Sequence, residues 1–392
     1  MGSYTEYLDK NMDFNAITVE RKRLLNEIGK KRGNRDVLVM ASDLTKSASN
    51  SIEYSDILPF QDQLSNLSGE AIDIIIETPG GFAEVVEDLV RLIRSKYEKV
   101  GIIIPGYSKS AGTIFSMAAD EILMGRFSAL GPIDAQIASN GKRFSADAFL
   151  DGLEKIKNEV IASGRLNPAM IPILQNISPG EIQHCENAQN FSKTLVTQWL
   201  AAYKFKYWET HSSTGLPVTV EEKQKRAEDI ASKLCKHGDW LTHGRSINID
   251  DFKKMKLLIT DYSKDPILED LITRYYTLIR MTFESTNIYK IFETKDSQIY
   301  RFSLAGNPQM PNLPVFPPQQ NKDCAVIDFE CPNCKQHSKI QANLGESSPL
   351  QNGNVPYPLK DNLFTCPRCH ALNNILPIKL QIEAQSGKKI VD

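Results

Sequence analysis

The sequence predicts an α/β protein built on a parallel sheet, and three observations predict it. Short continuous apolar runs, DVLVMAS (36–42), AIDIIIETPGG (71–81) and KVGIIIPGYS (99–108), have the length and β-branched content of strands buried on both faces. Between the last two stands FAEVVEDLVRLIRSKY (82–97), whose apolar residues recur at helical spacing. The second and third runs both end in turn-forming residues, TPGG and GYSKSAGT. Such alternation makes βαβ units, and loops at the carboxyl ends of their strands are where ligands sit.

The remaining elements follow in order. ITVERKRLLNEIGKKRG (17–33) is a charged helical stretch, and IEYSDILPFQDQLSNLS (52–68) is helical in period. The small residues after Ser110 open a further helix. Ser145 is a candidate N-cap for a helix over 146–162. Ser178, Pro179 and Glu181 form a capping-box start for the helix that follows. Residues 221–236 and 265–290 also read as helices. GNPQMPNLPVFPPQQ (306–320) is proline-rich and aperiodic, a semi-extended linker in front of a separate small module.

A length of 392 residues exceeds one compact core and points to more than one domain. The net charge of −2 gives no global argument for a polyanionic partner. No apolar run approaches the ~20 residues that cross a bilayer, and MGSYTEYLDKNMD has no apolar signal core. The expectation is a cytoplasmic protein without a transmembrane segment.

Ser110 is the candidate nucleophile. A serine at a strand-to-helix turn meets solvent, and the amides after it are donors without intrahelical partners, suited to an oxyanion. Ala111 and Gly112 let a carbonyl approach the backbone, and the Gly80-Gly81 turn offers a second donor. The bland alternative is a serine that only caps a helix. The ordered segments ETPGG, GIIIPGYSKSAGT and AADEILMGRFSALGPIDAQ, continued more weakly by WLTHGRSINIDDFKKMKLL, resemble the serine dehydrogenase proteinase family. That family groups with signal peptide peptidase A and the Clp protease proteolytic subunit in the ClpP/crotonase superfamily. The resemblance covers about residues 15–262. It implies a ClpP/crotonase-like fold of stacked βαβ units with flanking helices, the nucleophile at Ser110, and oxyanion donors at Gly81 and Ala111. Ser108 and Lys109 depart from it, since relatives carry small or apolar residues there.

A serine nucleophile needs a base. The place of the Clp subunit's histidine falls within PIDAQ, so a Clp-type Ser-His-Asp triad is not expected, and a Ser-Lys dyad is. The resemblance favours Lys193 over Lys157, although both sit at the edge of helical apolar stripes, where a stem covering apolar surface is the ordinary use of lysine. His243 is a third candidate base, and Asp134 is read as a residue that caps or orients a loop. Lys109 is a poor base because adjacent side chains on a turn diverge.

CPNCKQH and TCPRCHA place Cys331, Cys334, Cys366 and Cys369 as two Cys-x-x-Cys knuckles. That spacing lets four thiolates close a tetrahedral shell around a structural Zn²⁺, which resembles a zinc ribbon with a long loop over 345–358. Cys324 is read as a buried strand residue. The expected organisation is a ClpP/crotonase-like peptidase domain with a helical extension over 1–300, a linker over 301–323 and a zinc-ribbon module over 324–392. The expected function is a homo-oligomeric serine peptidase acting on protein or peptide through an acyl-enzyme, its ribbon recruiting a protein partner or substrate in preference to nucleic acid. The alternatives are a catalytically inactive scaffold working through the ribbon and a crotonase-like enzyme of acyl thioesters.

Overall fold

The computed structural model describes residues 2–139, 142–303 and 324–391. Seven strands form the main sheet: β1 (Asp36–Ser42), β2 (Ala71–Glu77), β3 (Lys99–Ile104), β4 (Glu121–Met124), β5 (Thr260–Asp261), β6 (Ile288–Glu293) and β7 (Gln298–Phe302), in spatial order β7-β6-β1-β2-β3-β4-β5. From β1 to β5 all neighbours are parallel, with Val39 opposite Ile75 and Ile75 opposite Ile103. Successive side chains leave a strand on opposite faces. In β2, therefore, Ile72, Ile74 and Ile76 enter one apolar core while Ile75 enters another.

Helices cover both faces, as a parallel sheet requires. On one side lie α2 (Ile57–Ser65) and α3 (Ala83–Arg94), whose buried Val85, Val86, Leu89, Val90 and Ile93 form a single stripe. The short α4 (Ala111–Ser116), the helix expected after Ser110, joins them there and ends where the chain turns at Met117 to enter β4. On the other side lie α1 (Phe14–Lys31) and α8 (Pro266–Ser285). Asp13 caps α1 by accepting from the Ala16 N–H at 2.7 Å. Both serine caps form as expected: Ser145 at the start of α5 (Ala146–Ser163), and Ser178 with Glu181 at the start of α6 (Pro179–Trp199). A further helix, α7 (Val220–Cys235), packs along α6.

The helix expected over 265–290 ends at Ser285, and residues 288–293 form β6 instead. Thr286 is extended. Its hydroxyl donates to Thr282 O (2.7 Å) and accepts from Ile288 N–H (3.1 Å), which turns the chain into the sheet. Strand β6 runs antiparallel to β1, so the sheet is mixed. The β6–β7 hairpin is pinned by a buried pair in which Arg21 Nε lies 3.0 Å from Glu293 Oε1, with Tyr275 and Tyr300 hydroxyls completing the network.

The proline-rich stretch 306–320 lies outside the described residues. Beyond it, β8 (Cys324–Glu330) and β9 (His337–Leu344) pair antiparallel, Val355–Pro356 and Ile390–Val391 pair with β9, and Leu363–Thr365 pairs with Leu372–Asn374. Cys324 is half-buried rather than buried. The helix α9 (Leu376–Ser386) places Leu380 in the core shared with α1 and α8, and Lys389 Nζ reaches Asp13 Oδ2 at 2.6 Å.

Candidate active site

The carboxyl ends of β2 and β3 set the site. Past Glu77, Thr78 bridges to Ser108, with the Thr78 N–H donating to Tyr107 O and the Lys109 N–H to Thr78 O. These bonds draw the TPGG turn and the GYSKSAGT turn together. A side chain on Gly80 would begin 2.6 Å from Ser110 Cβ, so only glycine lets the two turns touch. Gly81 has φ +149° and lies against the backbone of Ile52, its neighbour on the other side.

Ser110 itself has φ 50° and ψ −118°, a backbone shape that a Cβ disfavours, and it is half-buried at the mouth of α4. Among the described residues neither the Gly81 nor the Ala111 N–H has an acceptor. Two donors from two loops are therefore unspent beside one serine. Beneath them Thr113 Oγ1 donates to Ser108 O and accepts from Gly131 N–H (2.9 Å), fastening the Ser110 turn to the loop after β4.

That loop carries Asp134, which is fully buried. His243 Nδ1 lies 2.7 Å from Asp134 Oδ1, and His237 Nδ1 lies 2.9 Å from Oδ2. Burial pushes the Asp134 carboxyl up, but the hydrogen bond and charge of His243, with bonds from Ser145 and His237, outweigh it and hold the group below the usual range. An ionised carboxylate only accepts, so each Nδ1 directs its hydrogen at Asp134, and in the neutral ring Nε2 of His243 is the nitrogen left to accept a proton. Asp134 thus does more than shape a loop.

Lys109, beside Ser110, sends its ammonium to Leu130 O (3.0 Å), Arg245 O (3.2 Å) and Ser246 Oγ (3.0 Å). Burial pushes it down to about 8. Of the two lysines weighed as bases, Lys193 is half-buried with its Nζ 3.3 Å from Glu228 Oε1, and Lys157 is exposed with its Nζ 3.1 Å from Glu154 Oε2. Thr113 and the strapping by Lys109 were not foreseen in the sequence. The one available signal was the departure of Ser108 and Lys109 from small or apolar residues.

Away from this site, Cys331, Cys334, Cys366 and Cys369 bring their sulfurs within 4.8 Å of one another. Two of the separations are 3.7 Å (Cys331–Cys369) and 3.6 Å (Cys334–Cys366). Zn–S bonds of ~2.3 Å in a tetrahedron set sulfur–sulfur edges of about 3.8 Å, so the four thiols fit such an ion.

The parallel part of the sheet, with the unspent Gly81 and Ala111 N–H groups near a strained serine, is a ClpP-like α/β fold. The description "ClpP-like SDH-type serine proteinase" matches residues 7–188. Two uncharacterized proteins of Methanocaldococcus jannaschii are similar to the chain. MJ1495 is 30% identical over 244 residues, 60% of this chain and 70% of that protein. MJ0137 is 24% identical over 235 residues, 57% and 77% respectively. The chain belongs to the ClpP-like SDH-type serine proteinase family. Among solved structures, a mutant of the membrane-bound stomatin-specific protease 1510-N aligns with a TM-score of 0.33 at 15% identity, covering 60% of this chain and 84% of that one. A probable enoyl-CoA hydratase/isomerase from Mycobacterium abscessus aligns at 0.22 and 15%, covering 51% and 87%. No helix among the described residues is long and apolar enough to cross a membrane.

Proposed function

We propose that this chain is a serine peptidase in which Ser110 attacks the peptide carbonyl, the Gly81 and Ala111 N–H groups hold the oxyanion, and His243, fixed by Asp134, is the base. In the first step the Ser110 Oγ–H proton passes to His243 Nε2 as the Oγ–C bond forms, and the carbonyl electron pair moves to oxygen. Collapse of that intermediate breaks the C–N bond, and the His243 proton leaves with the amine. Water then repeats the sequence on the acyl-enzyme. The observation that carries the reading is the Asp134–His243 hydrogen bond of 2.7 Å, on loops that the ammonium of Lys109, the neighbour of Ser110 in sequence, joins. A carboxylate-held imidazole with a free Nε2 suits proton transfer better than Lys193, whose ammonium is already on Glu228.

The test is labelling by a fluorophosphonate probe together with cleavage of an unfolded protein substrate. Ser110→Ala should abolish both, and His243→Ala should lower kcat by ~10⁴-fold or more. Lys193→Met should leave the rate essentially intact. If Lys193→Met were as inactive as Ser110→Ala while His243→Ala stayed active, the Ser–Lys dyad would be the better reading. A folded protein that never labels would leave the inactive-scaffold alternative standing.

For the C-terminal strands the proposal is a structural Zn²⁺ held by Cys331, Cys334, Cys366 and Cys369. A closed thiolate shell supplies folding energy to a module with a small core of its own. The proposed role of the ribbon is to recruit a protein partner or substrate. We also keep homo-oligomer assembly as a proposal, checked by light scattering. Helix α5, which buries only Ala146 and Asp147 and leaves Ile161 70% exposed, is a free surface for it.

A further inference from the structure

We propose that Lys109 is a positioning residue whose ammonium straps the nucleophile turn to the loops that carry Asp134 and His243, and so sets the path of the serine proton. The inference rests on the reading of His243 as the base.

Three observations carry it. First, the three acceptors of Lys109 Nζ come from two different loops: Leu130 O precedes the Gly131–Asp134 stretch, while Arg245 O and Ser246 Oγ follow His243 by two and three residues. Second, all three acceptors are neutral. No carboxylate pairs with this half-buried ammonium among the described residues, so its desolvation is offset by those loop atoms and by the Tyr107 ring, whose centroid lies 5.4 Å away. Third, room for the stem is built in. A side chain on Gly131 would start 2.9 Å from Lys109 Cδ, so the loop passes close over the methylenes only because it has glycine there.

The loop is otherwise tied at its end by reciprocal backbone bonds between Leu130 and Ile247, each 3.0 Å. Lys109 extends that tie to the two residues before Ile247, leaving His243 the short span between the strap and Trp240. Trp240 is anchored in turn by its indole N–H on Lys233 O at 2.8 Å. Because Lys109 is covalently next to Ser110, the strap fixes the His243 ring relative to the nucleophile rather than to a distant part of the sheet. A displacement of about 1 Å in such an arrangement costs on the order of 100-fold in rate.

The test uses the full chain, kinetics and amide hydrogen exchange. Lys109→Met keeps the stem and removes the ammonium. It should lower kcat by roughly 10- to 100-fold with KM within about threefold, and should speed exchange of the amides over 242–246. In a His243→Ala background the same substitution should cost little further, since there is no ring left to position. Ser246→Ala, which removes one exposed acceptor, should give a smaller loss of the same kind, and it serves if Lys109→Met fails to fold. Equal losses in the wild-type and His243→Ala backgrounds, or unchanged exchange over 242–246, would overturn the strap. Full activity of His243→Ala alone would overturn the base assignment, and the exchange data would then report on the loop tie by themselves.

Discussion

Ser110 holds a backbone shape that costs its side chain of order 1–3 kcal/mol, and the surrounding turns keep it there. Ser110→Gly should therefore stabilise the protein by up to about 1 kcal/mol in a urea titration while abolishing cleavage. A loss of stability would show that the serine makes contacts worth more than the strain. Glu77, at the end of β2, poses a different residue-scale question. It is fully buried with one oxygen accepting from the Tyr276 hydroxyl at 2.8 Å, and burial pushes it up to about 8 against the partial opposition of Tyr276 and Arg280. Below pH 4.5 the carboxyl is protonated in folded and unfolded chains alike. Between about 4.5 and 8 only the unfolded chain gives up its proton, so stability falls as pH rises through that window. Glu77→Gln should remove this slope, with the variant gaining on the wild type from pH 5 to pH 8 in paired urea midpoints. The candidate nucleophile and the glycines around it can be read from the sequence because they are local, a few residues on either side of two strand ends. The Asp134–His243 pair joins residues 109 positions apart. No periodicity or spacing links them, and only the folded loops show that the aspartate faces imidazoles.

Element by element, the buried strands declare themselves by composition, and β1, β2 and β3 match the runs that predict them. Strand β6 hides because NIYKIFE follows a helix without a glycine or proline break. The break is made by the hydroxyl of Thr286 bonding both ways, a use of threonine that composition does not reveal. What fixes β6 in place is also non-local: the Arg21–Glu293 pair joins α1 to the last part of the strand, with both side chains fully buried. Glu293→Ala leaves the guanidinium without its counter-charge and should destabilise the fold by roughly 3–5 kcal/mol in chemical denaturation. A cost below 1 kcal/mol would mean that the tyrosine hydroxyls around Arg21 suffice.

At the scale of the whole molecule, the sheet separates two cores, and the candidate site lies at the carboxyl ends of β2 and β3, where α4 begins. The C-terminal strands have a core of their own, in which Phe329, Ile340, Phe364 and Ile375 surround the cysteine cluster. If the four thiols hold Zn²⁺, metal analysis of the purified chain should find one ion per chain. A strong chelator should then raise amide exchange over 324–375 while leaving labelling of Ser110 unchanged; no bound metal would end that proposal. Asp13 connects this part to the first helix by serving two clients, the Ala16 amide and the Lys389 ammonium. The coupling is reciprocal: the seated carboxylate waits for the ammonium, and the ammonium favours the charged carboxylate that the amide binds. Both side chains are partly exposed, so the pair contributes little alone, and Leu380 in the shared core carries more of the contact. A ligand that frays the first turn of α1 would therefore loosen the tail without releasing it.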